Sequence, residues 1–166
     1  MSHDARAIAN VVLDHADALG ISISHLSLQK VLFFLQGWRL HQTRRPLIRQ
    51  AIEAWTYGPV IRVVYDELKD TLDGQPLTAR AKQFDLVKRE RKIAVSNFTK
   101  EEIAFIHELT GYYARINAFD LMKMTHVHGG SWEKVFNEKV FSPGNIINNH
   151  WIQEHFDNFG SFQRPS

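Results

Sequence analysis

The histidines are the side chains whose type and spacing first suggest chemistry. His126 and His128 form a His-x-His pair, and His150 and His155 follow later in the chain. Imidazoles two residues apart on an extended segment can share a metal ion if a third ligand completes the site. The alternative is that His126 ends a helix, where its ring donors suit the last carbonyls. Because no cysteine and no acidic cluster accompanies the pair, we expect neither a metal nor another cofactor.

Basic residues form two runs that could meet phosphates or an acidic protein surface. The first run lies between Asp17 and Glu53 and contains no acid; its cations are Lys30, Arg39, Arg44, Arg45 and Arg49. The second run, residues 80–92, holds six basic residues and two acids. The whole chain carries a net charge of only +2, which is not typical of a nucleic-acid-binding protein. A small nucleic-acid-binding regulator therefore stays the alternative function.

Enzyme and membrane signatures are absent from the sequence. There is no Gly-rich phosphate loop, no Gly-x-Gly-x-x-Gly, no His-Glu-x-x-His and no Gly-x-Ser-x-Gly. The longest apolar run, Val31–Leu35, has five residues, whereas a membrane-spanning helix needs about 20. No signal peptide follows Met1, and the 166 residues include no cysteine. We expect a soluble cytoplasmic protein that is not an enzyme.

Apolar periodicity predicts the elements that position these side chains. The predicted helices cover about residues 4–19, 28–42, 60–72, 99–116, 118–127, 132–136 and 146–156. Ser2 or Asp4 suits the N-cap of the first helix, Ser27 suits that of the second, and Thr99–Glu102 matches a capping box. Along the third helix, the spacing places Tyr65 on the inward face.

The strand signals are weaker than the helix signals. Residues 48–55 fit a short strand or an extended crossing segment. Residues 84–87 can pair with residues 93–95 as a small hairpin, or both can be irregular. The predicted fold class is mainly α: one compact helical domain over residues 1–157, with a small β element and a flexible tail over residues 158–166.

The second predicted helix is expected to form the centre of the domain. Leu28, Leu32 and Trp38 recur at helical spacing, and further apolar residues widen the stripe until the helix is apolar on most sides. Gly37 inside it is less favourable than alanine by about 1 kcal/mol, so we expect another element to pack closely there.

Two long motifs carry a resemblance to a known family. Residues 28–38 read Leu-Gln-Lys-Val-Leu-Phe-Phe-Leu-Gln-Gly-Trp, which is similar to the LQKLLYFAQGW helix of the Panacea antitoxin family, also called SocA-like or phage-associated GepA-like. The match continues through residues 46–47, residues 52–60 and Tyr65. Thr125-His126, followed by Trp132, resembles a later Thr-His…Trp element of the family. The resemblance covers about residues 5–156.

The resemblance implies the antitoxin of a bacterial or phage toxin–antitoxin system. Such a protein would neutralise a cognate toxin, encoded nearby, by direct protein–protein contact and without catalysis. The resemblance points to neither nucleic acid nor a membrane as a partner, and it leaves homo-oligomerisation open. This chain has Arg62 where many relatives have proline, and residues 128–131 replace an expected loop containing an acid and a proline.

Four residues are the candidate toxin contacts: Glu53, Tyr57, Arg62 and His126. Tyr57 and Glu53 are chosen because their polar ends must reach a partner, and Arg62 because a planar guanidinium suits interfaces. If Arg62 faces solvent, Arg62→Glu should leave stability almost unchanged. The other motif residues are expected to serve folding: Leu28, Leu32, Gly37, Trp38, Trp55, Gly58, Pro59 and Trp132. Gly58-Pro59 is expected to start the third helix.

Overall fold

Helices make up about half of the residues that the structure describes. The computed structural model describes residues 1–71, 73–136 and 145–159. The helices in these residues are α1 (Ala5–Ala18), α2 (His25–Thr43), α3 (Arg62–Leu68), α4 (Lys100–Tyr113), α5 (Ala118–Thr125), α6 (Ser131–Val135) and α7 (Asn149–Phe159). The strands are β1 (Ile52–Trp55), β2 (Gly58–Val60), β3 (Lys82–Asp85), β4 (Glu90–Ile93) and β5 (Ile146–Ile147). The predicted mainly α fold with a small β element is confirmed.

Helix α2 lies at the centre of the core, as its all-round apolar sequence predicts. Leu28 and Leu32 are fully buried, and α1, α4, α5 and α7 all pack against this helix. Trp38 donates a hydrogen bond from Nε1 to the hydroxyl of Tyr113 at 2.7 Å. A Cβ atom on Gly37 would overlap the ring of Phe156 from α7, so the predicted close approach at this glycine is confirmed. The longest helix is thus the scaffold for the other elements.

Local capping signals predict two of the three helix starts. The Asp4 carboxylate accepts from the N–H of Arg6 at 2.9 Å and caps α1. The Thr99 capping box is present in full at the start of α4. The predicted cap of α2 at Ser27 is wrong, because Ser24 is the N-cap and its hydroxyl accepts from the N–H of Ser27 at 3.2 Å. Serine is a favourable N-cap at either position, and the helix begins directly after Ser24.

The prediction that Gly58-Pro59 starts a helix is wrong. Both residues lie in β2, which pairs antiparallel with β1 in the register Ala54↔Pro59 and Trp55↔Gly58. Strand β2 is at the edge of the sheet β2-β1-β5 and has only one neighbouring strand. Pro59, which lacks an N–H group, is therefore tolerated there. Helix α3 begins only at Arg62. It ends at Leu68 rather than residue 72, and residue 72 lies outside the described residues.

The last predicted helix begins later than its periodicity suggests. Ile146 and Ile147 form β5, which pairs antiparallel with β1, and α7 starts at Asn149. The predicted tail from residue 158 begins inside α7, which ends at Phe159, while residues 160–166 lie outside the described part of the chain. None of the described helices combines the length and the apolar character needed to cross a bilayer.

The sequence left open whether a hairpin forms here. Strands β3 and β4 do form one, but its register differs from the predicted pairing of residues 84–87 with residues 93–95. Lys82 pairs with Ile93 and Phe84 pairs with Arg91, so residues 86–89 form the turn. The Asp85 carboxylate accepts hydrogen bonds from the N–H groups of Val87 and Lys88, which starts the turn two residues earlier than predicted. We call this hairpin, residues 82–93, the arm.

Candidate functional site

The turn between β1 and β2 presents Tyr57 to solvent. The side chain of Tyr57 is 67% exposed, the highest value for a described tyrosine. Gly58 follows it with φ of 111° and faces inward, where a Cβ would lie 2.7 Å from Cε of Lys30. A side chain at residue 58 is therefore excluded by both the backbone and the available space. The tight inner side of the turn fixes Tyr57 on its outer side.

A bidentate ion pair links β1 to the first residue of α3. Arg62 donates from Nε and Nη2 to the two carboxylate oxygens of Glu53, at 3.1 and 2.9 Å. Glu53 is buried, the Arg62 side chain is partly exposed, and the guanidinium carbon lies 5.3 Å from the centre of the Trp55 ring. The hydrogen bond to Glu53 raises the pKa of Arg62. The predicted contact residue Glu53 therefore already has an internal partner.

This ion pair changes the meaning of the substitution Arg62→Glu. A glutamate at residue 62 would place a second carboxylate beside the buried Glu53, and a like charge at such a distance is unfavourable. The structure therefore predicts that Arg62→Glu lowers stability, in place of the unchanged stability expected from the sequence. The guanidinium still presents part of its surface to solvent beside Trp55.

Aromatic rings continue the surface from Trp55 toward the start of α2. The Trp55 and Tyr65 rings meet edge to face at 4.9 Å, and Tyr65 stacks with His25 at 5.2 Å. Tyr65 is exposed, so its predicted inward position is wrong. Sequence periodicity missed both Tyr65 and His25, because helical spacing does not separate a core aromatic from one packed at the edge of the core. Tyr57, Arg62, Trp55, Tyr65 and His25 together form what we call the turn surface.

Lys30 lies behind the turn and is fully buried. Its Nζ donates to the carbonyl of Pro59 at 3.0 Å, and no described carboxylate forms an ion pair with it. Burial lowers the pKa of Lys30 to about 7, since the charged form loses its hydration. Its predicted place in a surface basic run is wrong. The burial of Lys30 could have been predicted from its position within an apolar stretch, because Phe33 and Phe34 lie on the same side of α2.

The rings of His126 and Trp132 stack on each other, and Trp132 contacts β1. His126 is the C-cap of α5, as the helix-end interpretation requires. Its ring stacks on Trp132 with centroids 3.7 Å apart, and Trp132 Nε1 donates to the carbonyl of Trp55 at 2.7 Å. Burial and then the nearby Lys30 lower the pKa of His126. This stack attaches α6 to β1 and supports the turn surface.

The two histidines of the His-x-His pair point to different partners. His128 is fully exposed and lies 3.0 Å from a carboxylate oxygen of Glu133, while His126 lies against Trp132. His155 lies in the core, where its Nδ1 accepts from the N–H of Ser131 at 3.0 Å. Within the described residues there is no group of three or more histidine, aspartate or glutamate side chains that could hold a metal ion.

The two basic runs do not form continuous basic surfaces. In the first, Lys30 is buried, Arg39 pairs with Glu101, and Arg44 pairs with Asp157. The second run contains three paired cations: Arg80 with Asp14 and Asp17, Arg91 with Glu67, and Lys92 with Asp85. Because most partners come from distant segments of the chain, the fold neutralises part of the local excess of positive charge, while Lys82, Lys88 and Arg89 form no ion pair with a described residue.

Comparison with known proteins places these residues in a family. The sequence profile described as antitoxin SocA-like, Panacea domain, matches residues 28–133, which run from α2 into α6. The chain belongs to this family. It is also 35% identical over 136 residues to the antitoxin SocA of Caulobacter vibrioides, an alignment that covers 82% of this chain and 72% of that protein. No solved structure matches the chain.

The Panacea match includes every residue of the turn surface except His25, together with the residues that support the turn. Glu53, Tyr57, Arg62 and His126 all lie within the matched residues. The motif residues expected to serve folding divide into two groups in the structure. Leu28, Leu32, Gly37 and Trp38 belong to the core helix, whereas Trp55, Gly58, Pro59 and Trp132 form and support the turn. The family motifs therefore encode one core helix and the turn packed on it.

Proposed function

We propose that this chain is the antitoxin of a bacterial or phage toxin–antitoxin pair and neutralises a cognate toxin, encoded nearby, by direct binding without catalysis. The match to the SocA-like Panacea family supports the antitoxin role. Helices α1 and α7 lie outside the matched range but pack on α4 and α2, so the proposed functional unit spans residues 1–157. Its proposed location is the cytoplasm, where the toxin is made.

The turn surface is the proposed toxin contact, and one observation supports it: an exposed tyrosine on the β1–β2 turn is followed closely by a partly exposed arginine that lies over Trp55. Aromatic and arginine side chains dominate binding energy at protein interfaces. Here Tyr57 is held outward by Gly58, and Arg62 is held by Glu53 over Trp55. A surface that is ordered before binding loses little conformational entropy on association. In this arrangement Glu53 positions Arg62, and His126 supports the turn through Trp132.

Co-expression with the neighbouring gene tests the proposed function. The adjacent reading frame should encode a protein that stops growth, and this chain should restore growth when both are expressed. The two proteins should also co-purify as a complex of defined stoichiometry. Persistent growth arrest despite soluble expression of both proteins would exclude the antitoxin role.

Tyr57→Ala is expected to weaken toxin binding at least thirtyfold without altering stability. Truncation of an interface hot spot removes about 2 kcal/mol or more of binding free energy. The exposed Tyr57 ring makes no described side-chain contact that folding would lose, so the melting temperature should stay within about 2 °C of wild type. Calorimetric titration with the toxin measures the first effect and thermal unfolding measures the second.

Tyr112→Ala is the control, because Tyr112 is a second exposed tyrosine and lies on α4, which packs mainly on α1 and α2. It should bind the toxin as the wild type does. Equal binding by Tyr57→Ala and Tyr112→Ala would remove the turn from the interface. For Arg62, the double variant Glu53→Gln with Arg62→Gln is preferable to Arg62→Glu, since it removes both charges and leaves no buried carboxylate unpaired.

A further inference from the structure

The arm carries its apolar residues on the side that faces solvent. Phe84 and Ile93 are diagonal neighbours on one face, because Phe84 pairs with Arg91 and Lys82 pairs with Ile93. Both are exposed, and the turn residues Leu86 and Val87 are 82% and 92% exposed. A solvent-facing sheet face is usually polar, so this concentration of apolar side chains needs a partner.

Polar contacts fix the arm to the helices at its base and, on the face that carries Phe84, through Arg91. Asn10 of α1 donates from Nδ2 to the carbonyls of Ala81 and Ala94, and its Oδ1 accepts from the N–H of Ala81 at 2.8 Å. Glu67 of α3 accepts from the N–H of Lys82 at 2.7 Å and from the guanidinium of Arg91. A two-stranded hairpin alone is marginally stable, and these anchors hold it in place. The exposed apolar face is therefore ordered before any partner arrives.

Charge indicates the chemistry of the partner. Lys82, Lys88 and Arg89 form no ion pair with any described residue, whereas Asp85 is paired with Lys92. Glu90 is the one unpaired acid among the described side chains of the arm. A second copy of this chain would bring the same cations together, and like charges across an interface are unfavourable. A duplex nucleic acid offers Phe84, Leu86 and Val87 little apolar surface beyond thymine methyl groups, unless its bases are unstacked at a free-energy cost. A protein surface with an apolar centre and surrounding carboxylates fits both features.

We propose that the outward face of the arm is a second contact surface for the toxin and takes an acid-rimmed apolar patch on it. This inference rests on the proposed antitoxin function. Helix α3 connects the two surfaces, since Tyr65 packs in the turn surface and Glu67 holds the arm. A toxin bound to both would be contacted on either side of α3. The arm also accounts for the basic character of residues 80–92 without a nucleic-acid partner.

Two double variants test the arm with the product of the adjacent growth-inhibiting gene as the probe. Phe84→Ala with Ile93→Ala should raise the Kd at least thirtyfold, because both apolar contacts are removed. Lys82→Glu with Lys88→Glu should raise the Kd at least tenfold and slow association, and added salt should weaken wild-type binding more than binding by this variant. Thermal unfolding should show near-wild-type stability for both, since all four side chains are exposed.

Matched controls separate the arm from general surface effects. Phe119→Ala removes a phenylalanine with the same 56% exposure as Phe84 but on α5, and Lys100→Glu reverses an exposed charge on α4. Both should bind within about twofold of wild type, a change well below that of a hot spot. If the wild type binds the toxin and the arm variants bind equally well, the arm is not an interface and the antitoxin function stands. If the wild type does not bind, both proposals fail.

Two further measurements decide between the toxin and other occupants of the arm. Sedimentation of the free chain should show no association that Phe84→Ala with Ile93→Ala abolishes. Such an association would assign the face to a second copy and overturn the proposal. A short DNA duplex should not bind through the arm, and duplex binding lost in Lys82→Glu with Lys88→Glu would also overturn it.

Discussion

Gly37→Ala is expected to lower the free energy of unfolding by about 2 kcal/mol. A Cβ at this position overlaps the ring of Phe156 from α7, which is fully buried and adjoins the rings of Phe33, Phe34 and Trp38. Overpacking of this kind destabilises by up to about 3 kcal/mol, and the better helix propensity of alanine returns about 1 kcal/mol. For a chain of this length the melting temperature should fall by about 4–8 °C. Thermal and urea unfolding measure the change.

Gly111→Ala provides a control of opposite sign. Gly111 also lies inside a helix, α4, but its nearest contact to a new Cβ is Leu19 Cδ1 at 3.8 Å. This substitution should therefore stabilise the protein by about 0.5–1 kcal/mol. A Gly37→Ala variant as stable as Gly111→Ala would contradict the close packing of α2 on α7. The double variant Gly37→Ala with Phe156→Leu should be more stable than the two single effects predict, because the smaller side chain relieves the overlap.

The elements that could be predicted from the sequence are those whose signals are local. The position of α2 follows from a long apolar stretch, and the start of α4 follows from the Thr99 capping box, which needs only four residues. A close neighbour could be predicted for Gly37, because glycine inside a helix is unfavourable and is explained when another element packs against it. The neighbour itself, Phe156, could not be named, since it is 119 positions away along the chain.

The candidate site was harder to predict because it depends on contacts between distant segments. Pro59 suits both the first turn of a helix and an edge strand, and pairing with β1 decides between them. Arg62 was expected to be free, but Glu53 from the adjacent strand binds it. Lys30 was counted as a surface charge, because its charge is visible in the sequence while the backbone that covers it comes from residues 58–59. Motif residues identified the region, and the fold assigned their roles.

The buried Lys30 is expected to make stability depend on pH above neutrality. In the unfolded chain its pKa has the ordinary value of 10.5, whereas burial lowers the pKa in the folded protein to about 7. Between these values the unfolded state binds a proton that the folded state lacks, so the free energy of unfolding rises with pH. The expected slope is up to about 1.4 kcal/mol per pH unit. The full contribution is present above the unfolded pKa and is lost as pH falls to about 7.

Other groups near Lys30 titrate outside this range. His25 of α2 and His126 at the end of α5 are the titratable neighbours that interact with it, and burial followed by Lys30 lowers the pKa of each below 6.5. Thr125 and the carbonyl of Pro59 contribute polar but uncharged atoms. Between about pH 7.5 and about pH 9.5 the slope therefore reports mainly the amine of Lys30, whereas at higher pH the pKa of Tyr113, which burial raises, gives a slope of opposite sign.

Lys30→Met should abolish this slope. The unbranched methionine side chain fills most of the same space, and it carries no proton to exchange. Urea unfolding of the wild type should show a gain of about 2 kcal/mol between about pH 7.5 and about pH 9.5, whereas Lys30→Met should change by less than about 0.5 kcal/mol. Lys100→Met, at an exposed position on α4, should keep the wild-type slope. Lys30→Arg should be the least stable variant at every pH, since a guanidinium cannot become neutral when buried. A wild-type slope that survives in Lys30→Met would show that another group titrates, and the amine behind the turn would then be charged in the folded protein.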